Sequence, residues 1–205
     1  MFKRLVQLFL LLLLAAVGVL VWFAWYVSTP ARSRGRGGTS SYPVAGSLVM
    51  EPVEAVSADG TAIEGYLVRP GRPEALSPRQ SRVRDTLKLR GRMPHLEAKP
   101  ELVVIATSWD QGVKGSLPLA EGLTGAGYTC LVWNPRGKNN TRQFCTYGLR
   151  EYADVTALLD AVSRKQGGLP PVAAVGQGFG AAVLLKAASE DPASAAWSAW
   201  TAFLP

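Results

Sequence analysis

From Leu5 to Val27 the chain carries no charged residue, a run longer than the roughly 20 apolar residues that cross a bilayer as a helix. The pattern predicts a transmembrane segment over 5–27 behind a short tail, residues 1–4. A cleaved signal peptide has an apolar stretch of only about 7–15 residues that ends at small side chains. This run ends instead in Trp22, Trp25 and Tyr26, aromatics that favour the membrane interface, so it reads as an uncleaved anchor. Residues 28–44 follow as a flexible tether, because Arg32 to Ser41 is rich in Gly, Ser, Thr and Arg.

The body, 45–205, opens with alternating apolar positions over Val49–Val56 and Ala62–Val68, separated by Ala58-Asp59-Gly60. That is a β-hairpin, its glycine supplying the positive φ of the turn. Residues 71–100 contain four prolines and no sustained period, and are expected to be a long basic inserted loop. Beyond them, short apolar runs alternate with helical stretches, the pattern of βαβ units on a parallel sheet. Leu102–Ala106, Tyr128–Trp133 and Val172–Val175 are the expected buried strands. Leu117–Thr124, Glu151–Lys165 and Ala181–Ala188 are the expected helices, the second amphipathic and the third apolar nearly all round. The fold class is therefore α/β, a mostly parallel sheet of about six strands behind an N-terminal transmembrane helix.

The formal charge of +7 suggests nucleic acid until it is located. Five positive charges flank the apolar run, and residues 71–100 hold eight Lys/Arg against three acids, which leaves the remainder at −3. A basic patch shared between a juxtamembrane stretch and one segment fits an anionic lipid surface better than a duplex; a solvated charge run without a partner is the plainer alternative. Lys3 and Arg4 oppose Arg32, Arg34 and Arg36 across the span. The short tail favours a cytoplasmic N-terminus and an extracytoplasmic body. Cys130 falls in an apolar strand and Cys145 in a loop, where it could be a free thiol. Two cysteines make neither a disulfide framework nor a zinc site, and no cofactor is expected.

The candidate chemistry lies in Val172-Ala173-Ala174-Val175-Gly176-Gln177-Gly178-Phe179-Gly180-Ala181, a strand running through glycines into a helix. With the Asp59-Gly60 hairpin, Asn134-Pro135-Arg136-Gly137 after a strand, and Tyr147-Gly148 followed by Glu151 and Asp154, this series resembles the α/β-hydrolase superfamily. The likeness is to its serine-aminopeptidase and lysophospholipase-like branches, over roughly residues 48–195. The resemblance aligns Asn134 to Gly137 with the family's Asp-x-Arg-Gly and Gly176 to Gly180 with its Gly-x-Ser-x-Gly. It implies a serine hydrolase acting on esters or peptides, with Gly178 in the nucleophile's place.

Glycine has no atom with which to form the acyl intermediate of such enzymes. The resemblance also implies that the family's acid and histidine come from loops after later strands, whereas this chain ends at Pro205, near the sixth. Its one histidine, His95, lies in the basic segment and is given no role. The loop after the third strand is Thr107-Ser108-Trp109-Asp110-Gln111-Gly112, where a carboxylate on Asp110 would oppose oxyanion stabilisation. Ser108 could be imagined as a displaced nucleophile, without a base to activate it.

The pocket set is thus Gly176, Gln177, Phe179, Gly180, Ser108, Trp109 and Asp110, with no catalytic residue expected. The first reading is an inactive or truncated hydrolase, and an active one if the sequence is a fragment. The second is dinucleotide binding, since Gly176-x-Gly178-x-x-Ala181 fits the phosphate-binding fingerprint. A third is an enzyme using Asp110 or Cys145. The sixth strand, with Trp197 and Trp200 nearby, is expected at an open sheet edge that invites a protein partner.

Overall fold

A computed structural model describes residues 2–32, 47–71, 76–92, 101–108, 111–137, 144–190 and 197–201. The first element, α1 (Phe2–Arg32), is helical past the expected end of the span at Val27. Its stretch Val6–Trp25 is long and apolar enough to cross a membrane and is exposed throughout.

The alternation over 48–70 forms the expected hairpin: β1 (Leu48–Val56) pairs antiparallel with β2 (Ala62–Pro70). Gly60 holds φ +80° in the turn. The fully apolar runs become β3 (Leu102–Ala106) and β4 (Thr129–Trp133), and β5 (Val172–Gly176) and β6 (Trp197–Thr201) complete a six-stranded sheet of order β1-β2-β4-β3-β5-β6. Strands β3, β4, β5 and β6 are mutually parallel, and β2 is antiparallel to β4. Among the described residues β6 is an edge strand, as expected.

Three further helices cover the sheet: α3 (Gly112–Gly125), α4 (Glu151–Gln166) and α5 (Phe179–Glu190). On one face Val53, Ile63, Leu67, Val104, Leu131 and Ala174 pack with Leu158 and Val162 of α4 and Val183 and Leu184 of α5. On the other, Val68, Val103, Ile105, Cys130 and Val132 pack with Val113 and Ala120 of α3. Cys130 is core, as expected. Helix α3 starts ahead of the expected Leu117; Gly112, Gly115 and Pro118 obscure its period. Helix α5 is more one-sided than its composition suggests: Ala181, Val183, Leu184 and Ala187 are buried, but Ala182 and Leu185 face solvent.

The principal correction concerns 71–100, which is not simply a loop. Residues Pro78–Leu89 form a helix, α2, packed on α3. Ser77 caps it, accepting from the Gln80 N–H at 3.2 Å while Gln80 Oε1 accepts from the Ser77 N–H at 3.0 Å, and Pro78 occupies the first turn. The face that α2 buries is polar. Gln80 Nε2 donates to Ser47 O and Thr124 Oγ1, and Arg84 Nε donates to Gly125 O at 3.0 Å. With Gln80 and Arg84 at the buried positions, no apolar period existed to be read.

The hairpin, β4 and α4 meet at one side chain. Arg136, 1% exposed, grips Asp154 with Nε (2.9 Å) and Nη2, reaches Asp59 with Nη1 (2.6 Å) and Ser57 Oγ with Nη2 (3.3 Å). Hydrogen bonding from Arg136, helped by Thr61, holds the Asp59 carboxyl well below the usual carboxylate range. A buried charge left without its partner typically costs about 3–5 kcal/mol. Arg136→Gln should therefore destabilise the domain by about that amount in denaturant titrations, by stranding Asp154. Because Asp59 has a lower pKa folded than unfolded, its contribution is complete at neutral pH and is lost as pH falls below about 4. Asp59→Asn should be less stable at neutral pH and show a flatter acid limb when unfolding midpoints are measured against pH.

Candidate functional site

The chain leaves β3 for β4 on one side and returns to place β5 on the other. The carboxyl ends of β3 and β5 therefore flank a topological switch point, where open α/β sheets form their crevice. Thr107 and Ser108 leave β3 there, and Gln177 and Gly178 leave β5 to enter α5.

The turn after β5 is built around the Ala106 carbonyl. It accepts the Gln177 N–H at 2.9 Å, which continues the ladder by one residue past β5. A Cβ on Gly180 would lie 2.3 Å from the same oxygen. A Cβ on Gly176 would lie 2.5 Å from Ala181 Cα. These two glycines are buried and let α5 start hard against β3 and β5. Gly178 is different. It is exposed, at φ +55°, and among the described residues the atom that a Cβ built there would meet is Ser108 Oγ, at 3.7 Å. The turn thus has the tight frame of a nucleophile elbow, a sharp strand-to-helix bend that presents its central side chain to the crevice. Gly178 leaves that central place open.

Ser108 is half-buried on the opposite wall. Its carbonyl accepts the N–H groups of Gln111 (3.0 Å) and Gly112 (3.4 Å). Thr107 Oγ1, within 3.3 Å of Ser116 Oγ, ties this loop to α3 by donating to Gly112 O at 3.2 Å. From β4, Asn134 Oδ1 accepts the Val113 N–H at 3.1 Å, and its buried Nδ2 has no partner among the described residues. Phe179 packs against the core and begins α5, where the N–H groups of Gly180 and Ala181 already donate to Gln177 O (3.0 Å) and Gly178 O (3.1 Å). The expected Gly176, Gln177, Phe179, Gly180 and Ser108 are thus brought together at the carboxyl ends of β3 and β5. Trp109, Asp110 and His95 lie outside the described residues.

Two residues that sequence reading gave no structural task have one. Glu151, fully buried at the start of α4, accepts from Thr146 Oγ1 (2.7 Å), the Thr146 N–H and the Gly148 N–H (2.8 Å). Burial raises its pKa, but these donors outweigh it and the net direction is down. They fold the 146–150 turn, in which Tyr147 takes φ 53°. Asp154 holds Arg136 as described above. The spacing Arg136…Glu151-x-x-Asp154 carried the signal in the family resemblance. Cys145 is a free thiol, as expected, but it is buried, and burial pushes its pKa up to about 11, so it holds almost no thiolate at neutral pH.

No protein-family profile matches the chain, and no curated protein matches it. Solved structures do. The chain is similar to the esterase Pf2001 of Pyrococcus furiosus at 16% identity and a TM-score of 0.57, over 78% of this chain and 55% of that one. It is also similar to XC6422 of Xanthomonas campestris, described as an α/β serine hydrolase without a lid, at 16% identity and a TM-score of 0.50, over 68% and 56%. The chain spans little more than half the length of these structures.

The three turn glycines generate a prediction. Gly180→Ala and Gly176→Ala must displace backbone and should each cost about 3 kcal/mol or more. Gly178→Ala makes an ordinary van der Waals contact with Ser108 Oγ and should cost chiefly the left-handed φ, about 1–2 kcal/mol. Thermal unfolding of the three variants checks the order. The sheet order, the crevice at the switch point, the elbow frame and the likeness to these esterases together establish that the chain has the α/β-hydrolase fold.

Proposed function

We propose that this chain is a membrane-anchored α/β-hydrolase-fold protein whose crevice binds a ligand without cleaving it. The observation that carries this reading is Gly178. The elbow's frame is in place, but its central residue has no side chain, so no ester or amide carbonyl can be captured there as an acyl-enzyme. Ser108 Oγ stands 3.7 Å from the Cβ position that Gly178 leaves empty, and its hydroxyl offers a donor to a polar ligand atom. No described side chain is positioned to deprotonate that hydroxyl, and a serine without a base is a weak nucleophile. The anchor is α1, whose span ends in aromatics that suit the membrane interface. The short N-terminal tail favours a body outside the cytoplasm.

Dinucleotide binding finds no favourable feature in the fold. The glycine turn follows the third parallel strand rather than opening the first βαβ unit, and an antiparallel hairpin precedes the whole sheet.

A fluorophosphonate probe of serine hydrolases tests the reading. The purified full chain should remain unlabelled under conditions that label an active esterase, and Gly178→Ser should fold, since among the described residues its Cβ meets Ser108 Oγ at no closer than 3.7 Å. Labelling of the unaltered chain, located to Ser108 by peptide mass spectrometry, would overturn it in favour of a displaced nucleophile.

A further inference from the structure

We propose that the outer face of α2 is a docking surface for an anionic bilayer, resting the body of the protein against the membrane that α1 enters; this rests on reading α1 as an anchor. Over residues 78–92 there are six Arg and Lys against the single acid Asp85. Arg84 is turned inward on Gly125 O. The other five, Arg79, Arg82, Lys88, Arg90 and Arg92, are exposed. Among the described residues only Arg79 meets a carboxylate, that of Glu121 at 3.8 Å.

Helical spacing places Arg79, Arg82, Thr86 and Arg90 on one side, with Leu89 beside them, 89% exposed. Arg79, Arg82, Val83, Thr86 and Leu87 line an open groove of about 390 Å³. Cations around a shallow groove with a projecting leucine suit the phosphate layer of a bilayer and the first carbons beneath it. The helix is held rigidly for this, by its capping box and by the polar contacts of Gln80 and Arg84.

Covalent reach supplies the second reason to choose lipid over another polyanion. Residues 33–46 join α1 to the body, and such a length of chain spans at most about 50 Å. An anchored body is thus kept within reach of headgroups at high effective concentration. Each cation close to an anionic surface is worth about fivefold in association, so three together are worth about a hundredfold.

The test uses the full chain in lipid nanodiscs. Both native cysteines are buried, so Thr86→Cys can carry a single environment-sensitive fluorophore, and Ser189→Cys on α5 serves as the control. In discs containing phosphatidylglycerol the Thr86 reporter should be quenched by lipid-borne quencher more than in phosphatidylcholine discs, and added salt should reverse this. The Ser189 reporter should respond to neither. Arg82→Gln, Arg90→Gln and Arg92→Gln together should shift docking by about a hundredfold and bring quenching down to the phosphatidylcholine level.

Equal quenching in the two discs overturns the proposal, as does a charge-neutralised variant that docks as before. A Thr86 reporter that answers to an added oligonucleotide or acidic peptide, and not to phosphatidylglycerol, assigns the face to another partner and overturns it too. A chain that does not enter the disc overturns the anchor itself and the docking with it. Entry without quenching overturns the docking alone.

Discussion

A guanidinium withdrawn from water has to be matched on nearly every N–H it presents, and Arg136 meets that demand with groups from two other segments. Asp154 comes from α4, Asp59 and Ser57 from the hairpin turn, and Arg136 itself from the turn after β4. The geometry is over-determined. Moving the hairpin, the helix or the turn alone would break a charge-assisted bond in a place where water cannot replace it. That fixes β1 and β2 at their edge of the sheet, and fixes the turn from Asn134 to Gly137 above β4. Asn134 is held in turn where its Oδ1 can receive the Val113 N–H and so set the start of α3. The wall of the crevice that carries Ser108 is therefore positioned, at two removes, by a salt bridge on the far side of the sheet's centre.

The opposite wall depends on a single backbone atom. The Ala106 carbonyl takes the Gln177 N–H and also sits against Gly180 Cα, so β3 and the entrance to α5 share one point of contact. Van der Waals exclusion, rather than any polar side chain, dictates glycine at 176 and 180. Ser108 and Gly178 face each other because the chain on either side of them is fixed by that carbonyl.

Strong period and strong exclusion were legible in the sequence; polar burial was not. The hairpin, the three apolar strands and the amphipathic α4 followed from spacing alone, since each buries a continuous apolar face. The elbow was visible because its two flanking glycines have no substitute. Helix α2 escaped because it buries Gln80 and Arg84, and a search for apolar residues reads such a helix as a loop. Its real signature was Ser77-Pro78-x-Gln80, a capping box with proline in the first turn. Cys145 is the free thiol of a loop, as expected, and its burial there had no signal in the sequence. Trp109 and Asp110 remain expectations from sequence.

What the elbow's glycines imply about chemistry depends on separating two kinds of constraint. Gly176 and Gly180 are required by packing, and a domain that must fold keeps them whether or not it hydrolyses anything. Their presence is evidence of the fold and says nothing of turnover. No described residue constrains Gly178 in this way, because a Cβ there meets Ser108 Oγ at an ordinary 3.7 Å. Its φ of +55° makes glycine the least strained choice for this backbone. In a hydrolase that strain is carried to hold a serine in place. With glycine in that place the strain is relieved, the backbone bend survives, and the space a hydroxyl would fill is left to whatever enters the crevice. Stability and catalysis therefore pull in opposite directions at this one residue, and glycine is the choice that backbone stability favours.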